Sequence, residues 1–249
     1  MQYMIAFYEP ESDFTARDGD GSDEFWPPWR AYFEALRGAS VNVGGAPLQA
    51  PRTGATVRNE ADGRIVHDGP YADTKEQLGG FVIVEVPSLD DALAWAQRAP
   101  SAASGAVEVR PLWPPASDEA AANARVGSDG TTHVLAIYES TADFADREGP
   151  NAKRYWDGWA AFSKALGEAG VVRGGAPLCG PETATVVRIG QSGPVVHDGP
   201  YADTKEQLGG YLFLDVGSLD DALQWAARCP AALRGAVEVR PVLPMAARV

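Results

Sequence analysis

The chain repeats itself. Shifted by 130 residues it aligns with its own sequence from the first predicted strand to the last without an insertion. Tyr8-Glu9 falls on Tyr138-Glu139, Trp26 and Trp29 on Trp156 and Trp159, GGAPL at Gly44 on GGAPL at Gly174, and GAVEVRP at Gly105 on GAVEVRP at Gly235. Inside this frame the fifteen residues VHDGPYADTKEQLGG recur letter for letter, at Val66 to Gly80 and at Val196 to Gly210. Two units of domain size form a pseudo-symmetric pair, a homodimer joined covalently, whereas solenoid arrays need three or more short units. The expected plan is a first unit over residues 1–113, a linker over 114–131 rich in Pro, Ala, Ser, Asp and Gly, and a second unit over 132–245.

Within one copy the periodicities define the elements. Tyr3 to Tyr8 reads as a strand, and an acidic, Gly-rich excursion follows it. Trp29, Tyr32, Phe33 and Leu36 stand at helical spacing, with Pro27 and Pro28 placed in the first turn and Gly38 at the end. Extended segments follow at Val41 to Leu48, Ala55 to Arg58 and Arg64 to Asp68, and then the most hydrophobic strand, Phe81 to Val86. Ser88 and Asp91 form a capping signal for a second helix that Pro100 closes, and Val107 to Leu112 is the last strand. This is the split βαβ, ferredoxin-like order, an α+β fold with two helices on one face of an antiparallel sheet. The free faces of two such sheets are where the copies meet. Side chains alternate along a strand, so if Val107 and Val109 face the helices, Glu108 and Arg110 face the partner sheet. The same parity sends Arg58 and Glu85 there, and in the second copy Arg188, Asp215, Glu238 and Arg240. These arginines and carboxylates form either a ligand-binding cavity for a small acid or an ion-pair ladder across the sheets.

Charge and composition narrow the partners. A net charge of −13 repels phosphate backbones and anionic lipid, so neither nucleic acid nor membrane is expected, and a small molecule or another protein remains. With no basic, apolar leader at Met1 and no apolar run of spanning length, a cytoplasmic location is expected. Cys179 and Cys229 have Gln49 and Ala99 as counterparts and read as free thiols, and one His with scattered Asp per copy does not form a metal site.

The repeated stretch has a structural reading throughout. Asp68-Gly69-Pro70 is turn chemistry, Asp73 and Glu76 have the spacing of a capping box opening a short helical turn, and Gly79-Gly80 permits a tight turn or a close backbone approach. Against this, the polar loop residues His67, Asp73, Lys75, Glu76 and Gln77 have not drifted between copies. The loop candidates are Tyr71, Asp73, Lys75 and Glu76 with Tyr201, Asp203, Lys205 and Glu206. His67 and His197 supply the commonest acid and base near neutral pH, and each pairs with its neighbour, Asp68 or Asp198, only if the strand has already bent into the turn.

GGAPL, then DGPYADTKEQLGG, a strand, a helix ending at Arg98 to Pro100 or Arg228 to Pro230, and a final VEVRP together resemble the YCII-related family, in its branch named for a DGPF motif that reads Asp68-Gly69-Pro70-Tyr71 here. The resemblance covers nearly all of both copies. It implies a dimeric α+β barrel and, in the wider family, an active His and Asp pair with the His on the first helix. That helix, Trp26 to Leu36 and Trp156 to Leu166, has no histidine. Asp68 and Asp198 carry over, and His67 and His197 stand as local substitutes. Two functions stay open: a cofactor-independent lyase or isomerase acting on a small anionic or phenolic metabolite, with Arg110 and Arg240 holding the substrate, or a regulatory barrel that binds a ligand and acts through a protein partner, as an association of this branch with alternative sigma-factor systems suggests. A further homodimer of the fused pair is also left open.

Overall fold

The computed structural model describes residues 1–60, 63–113 and 132–244. The expected linker 114–131 and residue 245 lie outside the described residues. The first copy runs β1 (Gln2–Pro10), α1 (Glu11–Asp18), α2 (Ser22–Gly38), β2 (Asn42–Pro47), β3 (Ala55–Glu60), β4 (Gly63–Asp68), β5 (Glu76–Glu85), α3 (Leu89–Ala96), α4 (Ser101–Ser104) and β6 (Ala106–Pro111). The second runs β7 (Thr132–Ser140), α5 (Thr141–Asp146), α6 (Ala152–Glu168), β8 (Val172–Pro177), β9 (Thr185–Gly190), β10 (Gly193–Asp198), β11 (Glu206–Asp215), α7 (Leu219–Arg228) and β12 (Ala236–Pro241).

The fold is α+β, with two ferredoxin-like units packed face to face as a barrel within one chain. Each sheet has six antiparallel strands, in the orders β10-β9-β6-β1-β5-β2 and β4-β3-β12-β7-β11-β8. Four strands of each are the ferredoxin-like set of one copy, and the outer two are a hairpin given by the other. Thus β9 pairs with β6 through Val107 and Val187, and β3 pairs with β12 through Val237 and Val57. Isolated bridges, Leu48 to Val242 and Leu112 to Leu178, join the sheets at two corners. The exchange covers an edge that β6 or β12 would otherwise leave unpaired. It also buries one valine of each hairpin in the other copy's core: Val57 lies with Leu135, Phe162 and Val237, and Val187 with Trp29, Val107 and Val109. Burial of one such side chain is worth roughly 1.5–3 kcal/mol.

Three cores follow from strand alternation. Phe7, Val82 and Val84 face α2 and α3 on one outer side, and Leu135, Leu214 and Val239 face α6 and α7 on the other. Between the sheets lie Met4, Phe81, Ile83, Val134, Tyr211 and Phe213, with the Phe81 and Phe213 ring centroids 5.7 Å apart. Glu108 and Arg110 point into this central layer as alternation requires. Glu85 and Asp215 have the same parity but sit at strand ends, where Glu85 is exposed beside Gln2 and Asp215 pairs with Arg173 at 2.7 Å.

Several local expectations are corrected. The acidic excursion after β1 is helical over Glu11–Asp18, and Pro27 and Pro28 lie inside α2, which begins earlier, at Ser22. Asp73 caps no helix: the chain from Tyr71 to Lys75 is irregular and Glu76 already belongs to β5. The Thr74 hydroxyl donates to the Glu76 carbonyl at 2.7 Å and the Gln77 amide to the carbonyls of Ala72 and Thr74, so this bend is closed by side chains. The Ser88 and Asp91 capping box forms as expected. Both cysteines are free thiols, and burial pushes that of Cys229 up to about 12. Among the described residues no helix is long and apolar enough to cross a membrane.

Candidate functional site

Because the hairpins are exchanged, each copy of the repeated stretch works against the other. Beyond β4, Gly69 takes a left-handed backbone (φ 92°) that favours glycine and aims the chain inward. Tyr71 then crosses to the second copy. Its ring stacks on Tyr138 at 4.0 Å, its backbone N–H donates to Glu238 at 2.9 Å, and its hydroxyl donates to Glu206 at 2.6 Å. Arg58 completes the cluster, donating to Glu206 at 3.3 Å and to the Gly235 carbonyl at 3.1 Å. Across the pseudo-twofold axis Tyr201 stacks on Tyr8, donates to Glu76 at 2.6 Å and gives its N–H to Glu108 at 2.8 Å, while Arg188 reaches Glu76 and Gly105. Glu108 pairs with buried Arg110, which also donates to the Leu208 carbonyl, and Glu238 pairs with buried Arg240, which donates to the Gln49 carbonyl. Burial opposes ionisation of Glu76 and Glu206, yet the hydrogen bonds from arginine and tyrosine prevail and hold both carboxyls below the usual carboxylate range.

Of the two options left open for the sheet-facing charges, these contacts match the ion-pair arrangement. The space between Tyr8, Tyr71, Tyr138, Tyr201, Glu108 and Arg110 is only about 30 Å³. His67 and Asp68 lie on β4, the outermost strand, where pairing continues through Asp68 opposite Ala55, so their side chains leave from opposite faces. His67, Asp68, His197 and Asp198 are all exposed, and so are Asp73, Lys75, Asp203 and Lys205, although each lysine approaches its neighbouring glutamate at 3.7 Å.

A larger space lies on the other face of the first sheet, under α2. This cavity of about 710 Å³ is walled by Phe7, Phe25, Trp26, Trp29 and Phe33, with Arg37 exposed among its lining residues and Glu9 and Arg17 buried among them. The Glu9 carboxylate lies over the Cα of Gly79, where any Cβ would overlap it, which gives the first glycine of the repeated Gly-Gly a direct task. Burial pushes the Glu9 carboxyl up to about 7 against the opposing pull of Arg17. Arg17 Nη1 stands 4.0 Å away and donates instead to the Leu48 carbonyl, and Glu9 Oε2 has no hydrogen-bond partner among the described residues.

The second copy closes the same place from within. Tyr155, at the position of Phe25, donates to Glu139; Arg147, at the position of Arg17, also donates to Glu139 and gives its Nε–H to the Tyr155 hydroxyl at 3.1 Å. A cavity of about 490 Å³ beside this cluster is lined by Glu139, Tyr155 and Trp159 together with Asp143, Arg154 and Arg234.

A protein-family comparison agrees with this duplicated architecture: the model of the YCII-related domain matches twice, over residues 1–115 and 134–246. The chain belongs to the YCII-related family. The chain is also similar to an uncharacterised protein of Rhizobium meliloti (strain 1021), 44% identical over 118 residues, which span 45% of this chain and 92% of that protein. In this YCII-related chain α2 carries no histidine toward the cavity and instead gives it Phe25, Trp26, Trp29 and Phe33. Sequence reading missed Glu9 and Arg17. The pairing of Glu9 with Glu139 and of Arg17 with Arg147 at the repeat offset was the available signal, and the change of Phe25 to Tyr155 marked where the copies part.

Proposed function

We propose that the chain binds a small aromatic molecule in the cavity under α2 and that Glu9 exchanges a proton with it, as general acid or base and without a cofactor. The observation that carries this reading is a buried carboxyl, held near neutrality, among the lining residues of an aromatic-walled cavity of ligand size. The aromatic faces bind a planar ring, and the apolar walls keep Glu9 in the environment that sets its proton affinity. Arg17 remains close enough to stabilise the ionised form once the proton has moved.

The test is a titration of the intact protein with small phenols, aryl acids and lactones between pH 5 and 9. Trp26 and Trp29 fluorescence follows binding, and mass spectrometry of the recovered compound follows conversion. The expected result is saturable quenching, with conversion that rises or falls through pH 7 and is abolished in Glu9→Gln. A compound that binds and is returned unchanged at every pH makes the chain a binder without chemistry. Absence of quenching by every class removes the reading.

A further inference from the structure

We infer that the two copies have divided their labour at one position, Phe25 against Tyr155, so that only the first copy admits an aromatic ligand, and that this ligand carries a hydroxyl on its ring. The inference deepens the reading of the cavity given above and rests on it.

The second copy displays the chemistry that the first one lacks. There a hydroxyl borne by an aromatic ring lies between a carboxylate and a guanidinium, donating to Glu139 and accepting from Arg147 Nε at 3.1 Å. Phe25 is placed like Tyr155, with its ring centroid 5.2 Å from Trp26 at 84°, against 4.9 Å and 89° for Tyr155 and Trp156. The second copy fills both oxygens of its carboxylate, Oε1 by Tyr155 and Oε2 by Arg147, whereas the first has no hydroxyl at Phe25 and its Arg17 stands 4.0 Å from Glu9 Oε2, which, in a residue 3% exposed, has no hydrogen-bond partner among the described residues beside a cavity large enough for a second ring.

The partner that restores this arrangement must donate to a carboxylate and accept from a guanidinium at one atom. A hydroxyl does both, an ammonium group cannot accept, and a carboxylate cannot donate to ionised Glu9. The walls agree with an aromatic carrier. Phe7, Phe33 and Arg37 line the first cavity, whereas the matching positions in the second copy are Ile137, Ser163 and Gly167. With Tyr155 and Arg147 already on Glu139, the second copy has a cavity of about 490 Å³ but no unfilled acceptor in it.

Calorimetric titration of the full chain with p-cresol and with toluene, repeated on Phe25→Tyr, tests this. One p-cresol is expected per chain, toluene at least tenfold weaker, and p-cresol affinity at least tenfold lower in Phe25→Tyr because the new hydroxyl occupies the acceptor. Equal binding of p-cresol and toluene, or undiminished binding by a folded Phe25→Tyr, overturns the inference while leaving an aromatic site in place. Two p-cresol molecules per wild-type chain overturn the division of labour. If neither compound binds the wild type, the underlying reading falls and the inference with it. The comparison of p-cresol with toluene on wild type stands even if the variant fails to fold.

Discussion

Tyr71 donates its hydroxyl to Glu206 at 2.6 Å, and the two residues come from different copies of the same fifteen-residue stretch. The reciprocal bond joins Tyr201 to Glu76 at 2.6 Å. Each copy of the stretch therefore supplies the tyrosine of one contact and the glutamate of the other, so a change in one copy is met by the other across the axis. This gives a physical reason for identity over polar positions that chemistry at His67 does not need to explain.

Removing that hydroxyl leaves Glu206 with Arg58 and the exposed Lys205. Tyr71→Phe is expected to lower stability by about 1.5–3 kcal/mol, the range for a hydrogen bond to a charged group. A urea denaturation midpoint should shift down accordingly, and Tyr201→Phe should do the same within error. A shift below about 0.5 kcal/mol in both variants would mean that the reciprocal contact does not hold the copies together.

The glycine under Glu9 is testable by double substitution. Gly79→Ala places a methyl group where the Glu9 carboxylate lies and is expected to cost about 1–3 kcal/mol. Adding Glu9→Ala should recover part of that loss, because the overlapping group is gone. Thermal unfolding of the single and double variants measures the coupling, and strict additivity would contradict the packing described.

Glu9 also predicts a pH dependence with a definite sign. Its folded value of about 7 lies above the ordinary 4.5, so the native state keeps a proton that the unfolded chain releases between those values. This group's contribution is complete below the ordinary value and is lost as pH rises towards 7, by roughly 3 kcal/mol in all. Glu76 and Glu206, held below their usual range, act in the opposite sense, contributing above the ordinary value and losing that contribution as pH falls further. Denaturation of wild type and Glu9→Gln from pH 4 to 8 should give curves that converge at the acid end and separate as pH rises, with the variant the more stable near neutrality.

His67 and His197 are exposed on outer strands. The double variant His67→Ala, His197→Ala is expected to change stability by less than about 0.5 kcal/mol and to leave aromatic binding unaltered. Loss of binding in that variant would move the site from α2 to the edge of the sheets.

Much of this was legible in local pattern. Alternation at Val107, Glu108, Val109 and Arg110 gave the correct inner and outer faces, and Ser88 with Asp91 gave the correct helix start, because both signals act over a few residues. The hairpin exchange was not legible. Val57 satisfies the core of either sheet by its parity, and which sheet it joins depends on contacts far along the chain. Asp73 with Glu76 had capping spacing, but the half-buried Arg188 and Tyr201 offered Glu76 stronger partners than a backbone N–H. Glu9 stands near the end of an apolar strand, where local pattern says nothing of its surroundings, and only packing over Gly79 shows it to be buried.

The exchange of hairpins also sets an order on the birth of the molecule. As the chain leaves the ribosome, β3 and β4 are made well before the strand that receives them, β12, which follows the other elements of both copies. Until then Val57 has no core to enter and β6 has an open edge awaiting β9. The nascent first half is an intermediate with two unfinished borders, and the whole molecule is completed in a single late closure rather than one half at a time.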